Sequence, residues 1–274
     1  MKRTVLGIMV LEGVFLGAGI VTAAPRETDE SGPATERPPR TRGAAKMVEP
    51  SFFGNCAFIS VDFQEITRQP MESDADMPEE WRAQGFTVAD CNAATDYLFD
   101  VALPNGRKVA DACRAKGMPM VFVHWGWSLP KGMDLAPAIR KTFLKEYGEE
   151  YDKWPHHVSS PTSRPAEALD VRDGDYVIAK TDQDAFTSSN LGFVLANSGV
   201  KNLVFVGGHA GACLGKTARH AKELGYATLC VEDATWDARE STRKNHIRES
   251  NYDYIVSTSE LVNLMAPEPA QRVE

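Results

Sequence analysis

The sequence predicts an α/β fold, a single three-layer α/β/α domain around a mostly parallel sheet of about six strands. Short β-branched runs recur along the chain, and longer amphipathic stretches separate them. The runs are apolar throughout rather than alternating, as expected of strands covered on both faces by helices. Cys56-Ala-Phe-Ile-Ser-Val-Asp62 is the first strand, and a helix from about Arg107 to Lys116 stops at Gly117. Pro119-Met-Val-Phe-Val-His124 is the second strand and Asp175-Tyr-Val-Ile-Ala-Lys180 the third. A helix over Ser189 to Asn197 ends before Gly199, and Asn202 to Val206 supplies the fourth strand. A helix starting near Cys213 ends at Gly225 and leads to Ala227-Thr-Leu-Cys-Val231. Another helix spans about Ala238 to Ser250, and Tyr254-Ile-Val256 closes the sheet.

The first 48 residues read differently. Met1-Lys-Arg, an apolar stretch from Val5 to Val21 and the small residues Thr22-Ala23 form the pattern of a secretory signal, residues 1–23. Glu12 interrupts the apolar stretch, and Pro25 favours cleavage after Ala23 over Ala24. An uncleaved membrane anchor is the other reading. Residues 24–48 are rich in Pro, Arg, Glu, Ser and Gly, the composition of a flexible linker. The domain is expected over 49–266, with a short tail over 267–274. These features predict an exported protein, periplasmic or secreted. A formal net charge of −8 and no basic cluster disfavour nucleic-acid binding.

Chemistry is expected where the fourth strand meets its helix, at Gly207-Gly-His-Ala-Gly-Ala-Cys213. A thiol in the first turn of a helix meets backbone N–H groups that favour negative charge, and the thiolate is the nucleophile. Taken alone, Cys213 reads equally well as core packing. The glycine spacing matches neither a dinucleotide fingerprint nor a P-loop. In parallel sheets ligands bind at the carboxyl ends of the strands. Asp62 ends the first strand, Lys180 ends the third and Cys213 follows the fourth, so the three groups are expected to converge. Cys56, Cys113 and Cys230 read as packing residues; the odd count of five cysteines leaves at least one thiol free unless an intermolecular bridge forms, and a disulfide among the four cysteines other than Cys213 stays open.

These residues resemble the isochorismatase-like cysteine hydrolases, the superfamily of nicotinamidases, N-carbamoylsarcosine amidohydrolase and ureidoacrylate amidohydrolases. The resemblance covers about Cys56 to Val262. It lies in Val61-Asp62-Phe63-Gln64, in Ile178-Ala-Lys180 with Asp184-Ala-Phe186 and Leu191, in Gly207 to Cys213 with Thr217-Ala218, and in Val231-Glu-Asp233-Ala234. It implies a triad of Asp62 as base, Lys180 as cation and Cys213 as nucleophile. It also implies an oxyanion hole from the backbone N–H groups of His209 and Cys213, with a non-prolyl cis peptide at Gly208-His209. Two departures stand out: Ala210 replaces the family's usual Thr, and His209 replaces a small residue. Where nicotinamidases carry an Asp-x-His metal motif, this chain has His124-Trp125-Gly126-Trp127. No metal or other cofactor is therefore expected, and His156-His157 reads as solvated loop.

The connection from Gly126 to Asp173 is long and aromatic, and reads as a lid or subunit-contact element with a helix over about Leu135 to Tyr147. Gln64, Trp125, Trp127 and Phe186 are the candidate pocket residues, although the two tryptophans read equally well as core. The expected activity is cleavage of a C–N bond, amide or ureide, in a small molecule through a Cys213 thioester. Vinyl-ether hydrolysis and a non-catalytic thiol-bearing binding or redox-sensing role are the alternatives. The resemblance further implies a homo-oligomer, dimer or tetramer.

Overall fold

In the computed structural model, residues 47–77 and 79–266 are described; the expected signal segment, linker residues 24–46 and the tail 267–274 lie outside them. Six strands form one all-parallel sheet: β1 (Cys56–Val61), β2 (Met120–Trp125), β3 (Tyr176–Lys180), β4 (Asn202–Gly207), β5 (Ala227–Thr235) and β6 (Tyr254–Val256). Their order is β3-β2-β1-β4-β5-β6. The chain therefore works outward from β1 in one direction, then returns to place β4 on its other side. The order reverses between β1 and β4, and such a switch point opens a crevice at the carboxyl ends.

Alternation along each strand sorts side chains between two cores. Phe58, Phe122, Val204 and Leu229 face Val109, Ala110 and Cys113 of one helix, Leu103–Ala115, and Leu261 and Met265 of another, Thr258–Met265. Ile59, Val123 and Phe205 face the opposite layer, built from the helices Pro137–Tyr147, Leu191–Ser198 and Cys213–Glu223. With the remaining helices, these are α1 (Glu79–Ala83), α2 (Val88–Tyr97), α3 (Leu103–Ala115), α4 (Pro137–Tyr147), α5 (Ala185–Ser188), α6 (Leu191–Ser198), α7 (Cys213–Glu223), α8 (Glu240–Glu249) and α9 (Thr258–Met265). Arg114 of α3 ties its layer to the base of β3, donating to both carboxylate oxygens of Asp175 at 2.7 and 2.9 Å.

The expected strands recur within a residue or so, except that β5 runs on to Thr235 through an irregular register against β4. Between 63 and 106 the sequence pattern suggests little, and the structure holds α1, α2 and the start of α3. Thr87 and Asp90 cap α2 reciprocally. A π turn over Leu98–Ala102 then joins α2 to α3, with the Leu103 N–H reaching back to the Leu98 carbonyl. Pro104 is accommodated in that junction, and so does not end the helix as proline in a regular helical interior would. Val48, at the expected end of the linker, packs into the core with Phe52 and Phe53. Within the 126–173 segment, Trp127, Leu135, Ile139, Phe143 and Trp154 are buried together in the layer that holds α4, whereas Leu169 packs in the opposite core with α3.

Gly207 brings β1 and β4 together at the reversal. Its φ is +113°, and a Cβ there would lie 1.9 Å from the Val61 carbonyl oxygen. Only glycine fits both demands. Gly207→Ala is expected to cost about 3 kcal/mol or more of stability, read as a lowered thermal unfolding midpoint.

Candidate active site

Asp62 is the first residue beyond β1. Its φ of 53° is left-handed, a region in which aspartate is more often found than most residues. Its N–H is held by the Val123 carbonyl at 2.9 Å, which fixes its height above the sheet. Lys180 ends β3, two strands away, and pairs in register with Trp125 of β2. The lysine side chain thus reaches across the end of β2, with its ammonium 4.3 Å from the centroid of the Trp125 ring. Nζ lies 2.8 Å from Asp62 Oδ2, and it donates to Cys213 Sγ at 3.2 Å and to the Asp182 carbonyl at 3.2 Å. Carboxylate, sulfur and carbonyl match the three N–H bonds of an ammonium. Both side chains of the ion pair are fully buried, as is Cys213.

Cys213 is the first residue of α7. No side chain caps this helix and no acidic residue lies in its first turn, while His220 and Lys222 occupy the last. The positive end of the helix is therefore left to act on the thiol. Ahead of it, the Gly208-His209 peptide is cis, at the position implied by the resemblance. The loop is pinned on both sides: the Gly208 N–H donates to the Val61 carbonyl at 2.9 Å and the Ala210 N–H to the Trp236 carbonyl at 3.0 Å. Burial pushes Cys56 and Cys230 up to about 12 and Cys91 up to about 11, and none of the five cysteines is in a disulfide.

The structure brings Asp62, Lys180, Cys213 and Trp125 together. Trp125 is buried, and its Nε1–H finds no hydrogen-bond acceptor among the described residues. Gln64 is buried beside them, but its amide is committed to backbone. Oε1 accepts from the Trp125 N–H at 2.9 Å, and Nε2 donates to the carbonyls of Trp125 and Thr162 at 3.2 and 2.8 Å. It clamps the end of β2 to the 162 loop. Trp127 lies in the aromatic cluster of the 126–173 segment, 5.9 Å from Trp154, with its Nε1–H on the Pro155 carbonyl. Phe186 packs on His220 and Tyr226, towards the end of α7 remote from Cys213.

His156 departs from the expectation of a solvated loop. It is buried with a φ of 61°, and its Nδ1 lies 3.3 Å from the Thr162 carbonyl. His157 rests edge-on against Trp127. His124 is buried too; desolvation, together with the nearby Lys180 charge, lowers its pKa and favours a neutral ring. Among the described residues, no group of three or more His, Cys, Asp or Glu side chains is arranged to hold a metal ion. The sequence reading missed Gln183, whose buried Nε2 has no hydrogen-bond partner among the described residues, and Trp236 and Asp237 behind the Gly208-His209 peptide. No motif marks them; Gln183 follows Lys180 by three residues, while Trp236 and Asp237 reach His209 only through the order of the strands.

The Isochorismatase domain model matches residues 57–260, and the chain belongs to that family. A ureidoacrylate amidohydrolase, RutB of Rhizobium rhizogenes, is 30% identical over 148 residues, half of this chain and 60% of that protein. The chain therefore spans less than two thirds of that relative's length. An isochorismatase family protein from Burkholderia thailandensis superposes with a TM-score of 0.56 at 20% identity, over 81% of this chain and 99% of its own. N-carbamoylsarcosine amidase from Thermoplasma acidophilum superposes with a TM-score of 0.50, also at 20% identity, over 74% of this chain and 96% of its own. At such identities the two structures share the fold.

Because Gln64 satisfies buried backbone groups, Gln64→Ala is expected to destabilise the protein by about 1–3 kcal/mol. A shift of the chemical denaturation midpoint to lower denaturant measures it.

Proposed function

We propose that this chain is an exported hydrolase that cleaves a C–N bond of a small amide or ureide, with Cys213 as nucleophile, Asp62 as proton carrier and Lys180 as the charge between them. The observation that carries the reading is the Lys180 ammonium, 2.8 Å from the Asp62 carboxylate and 3.2 Å from the Cys213 sulfur. The names of the relatives, ureidoacrylate amidohydrolase and N-carbamoylsarcosine amidase, support a ureido or carbamoyl substrate.

In a buried site, the net charge decides which proton transfers are feasible. With Asp62 ionised and Cys213 a thiol, the ammonium balances one negative charge. Moving the proton from sulfur to carboxylate leaves the ammonium balancing one negative charge still, now on the thiolate. The nucleophile therefore forms without adding net charge to the interior. The thiolate attacks the carbonyl carbon, and the N–H groups of His209 and Cys213 receive the developing oxyanion. The tetrahedral intermediate breaks its C–N bond, and the leaving nitrogen takes the proton from Asp62. A water then gives its proton to the ionised Asp62 and attacks the thioester, releasing the acid and restoring the thiol. Vinyl-ether hydrolysis needs no acyl-enzyme and leaves Cys213 without a task.

Export rests on the pattern of residues 1–23, and the working unit is proposed to be a homo-oligomer. Cys213→Ala is expected to lower ammonia release from N-carbamoyl and ureido acids by about four orders of magnitude or more. In wild type, mass spectrometry of the quenched reaction is expected to find the acyl or carbamoyl adduct on Cys213. Equal turnover by wild type and Cys213→Ala would falsify the reading.

A further inference from the structure

Behind the loop that presents the His209 N–H lies a charged cluster that the proposed chemistry does not use. Asp237 follows β5 and is 3% exposed. Its Oδ1 accepts from the Ala238 N–H at 2.9 Å and lies 3.7 Å from His209 Nδ1. Its Oδ2 accepts from His246 Nδ1 at 2.5 Å. One carboxylate thus lies between two imidazoles. The first belongs to the residue whose backbone N–H is proposed to meet the oxyanion. The second stands on α8, with about a quarter of its side chain exposed.

α8 also backs the loop directly. A Cβ on Gly211 would lie 2.6 Å from His246 Nδ1, so the imidazole is seated on the loop itself. One turn further on, Ser250 donates through Oγ to the Ala210 carbonyl at 3.2 Å. The charged groups around His246 come from several elements: Asp237 from the connection after β5, Arg219 from α7 and Glu249 from α8 itself. The hydrogen bond to Asp237 is the largest influence and raises the imidazole pKa; burial and Arg219 act against it. The cation therefore persists to higher pH than a free histidine would allow.

We propose that His246 is a positioning residue: as a cation it neutralises Asp237 behind the His209 peptide, so that an oxyanion can develop in front of it. When His246 is neutral, a buried carboxylate stands behind the same peptide and its field opposes the negative charge of the transition state. This inference rests on Cys213 being the acylated nucleophile.

Two reactions of the same sulfur test it. In acylation by p-nitrophenyl acetate, sulfur bonds to the acetyl carbon, p-nitrophenolate leaves and an oxyanion forms on the way. In alkylation by iodoacetamide, sulfur displaces iodide and no oxyanion forms. Thiolate ionisation enters both rates, so their ratio isolates the oxyanion loop. In wild type, the ratio of acylation to alkylation at Cys213 is expected to fall as pH rises through the raised pKa of His246. His246→Gln keeps a side-chain donor without the charge. It is expected to lower the ratio about tenfold on the acid side and flatten its pH dependence, with alkylation unchanged, since full loss of one oxyanion donor costs about 10²–10³. A ratio with the wild-type size and pH profile in His246→Gln overturns the inference and leaves the hydrolase reading standing. Equal losses of acylation and alkylation overturn it as well. No acylation of Cys213 in wild type overturns both.

Discussion

A lysine ammonium buried without solvent must find its whole complement of acceptors in the protein, and that demand organises this structure. Nζ of Lys180 meets the Asp62 carboxylate, the Cys213 sulfur and the Asp182 carbonyl. Removing Asp62 leaves the ammonium uncompensated in the interior, where the desolvation penalty is several kcal/mol, and removing either of the other two leaves one of its N–H groups without an acceptor. The three strand ends must therefore stop at matching heights. β1 ends at Val61, β4 at its register partner Gly207, and β3 at Lys180 opposite Trp125. The Trp125 indole lies close to the same ammonium, adding a cation–π contact that keeps the charge between the strands.

The second constraint is the close approach of backbone to backbone at the reversal. Gly207 lies against the Val61 carbonyl, Gly208 against the Trp236 indole and Gly211 against the His246 imidazole. A loop squeezed on three sides cannot drift, and a donor is useful to an oxyanion only if it is already aimed. Packing that looks structural is in this way part of the proposed chemistry. The β5–α8 connection, with Trp236 and Asp237, serves as the floor beneath the loop.

Much of this was legible in the order of residues. Apolar runs without alternation identified β1 to β6, and the strand-end rule brought Asp62, Lys180 and Cys213 to one edge before any geometry was known. The helices between 63 and 106 were not legible. The helix expected from about Arg107 begins at Leu103, with Pro104 and Gly106 in its first turn, and a π turn over Leu98–Ala102 leads into it. Gln64 illustrates a different limit. Its place beside the Asp62 motif suggested a pocket residue, yet both ends of its amide are spent on backbone. His156 looked solvated for want of any sequence sign that a left-handed turn would bury it.

By itself, then, the chain determined the class of fold and which three groups meet at one edge of the sheet, the groups proposed to react, since both follow from local periodicity and from which residues end the strands. Tertiary structure decided what surrounds them. Lys180 reaches Asp62 across an intervening strand, Trp125 rather than Trp127 sits at the ammonium, and Asp237 and His246 stand behind the His209 peptide. Those contacts join residues far apart in the chain. They arise from strand order and helix placement, which local sequence patterns do not encode.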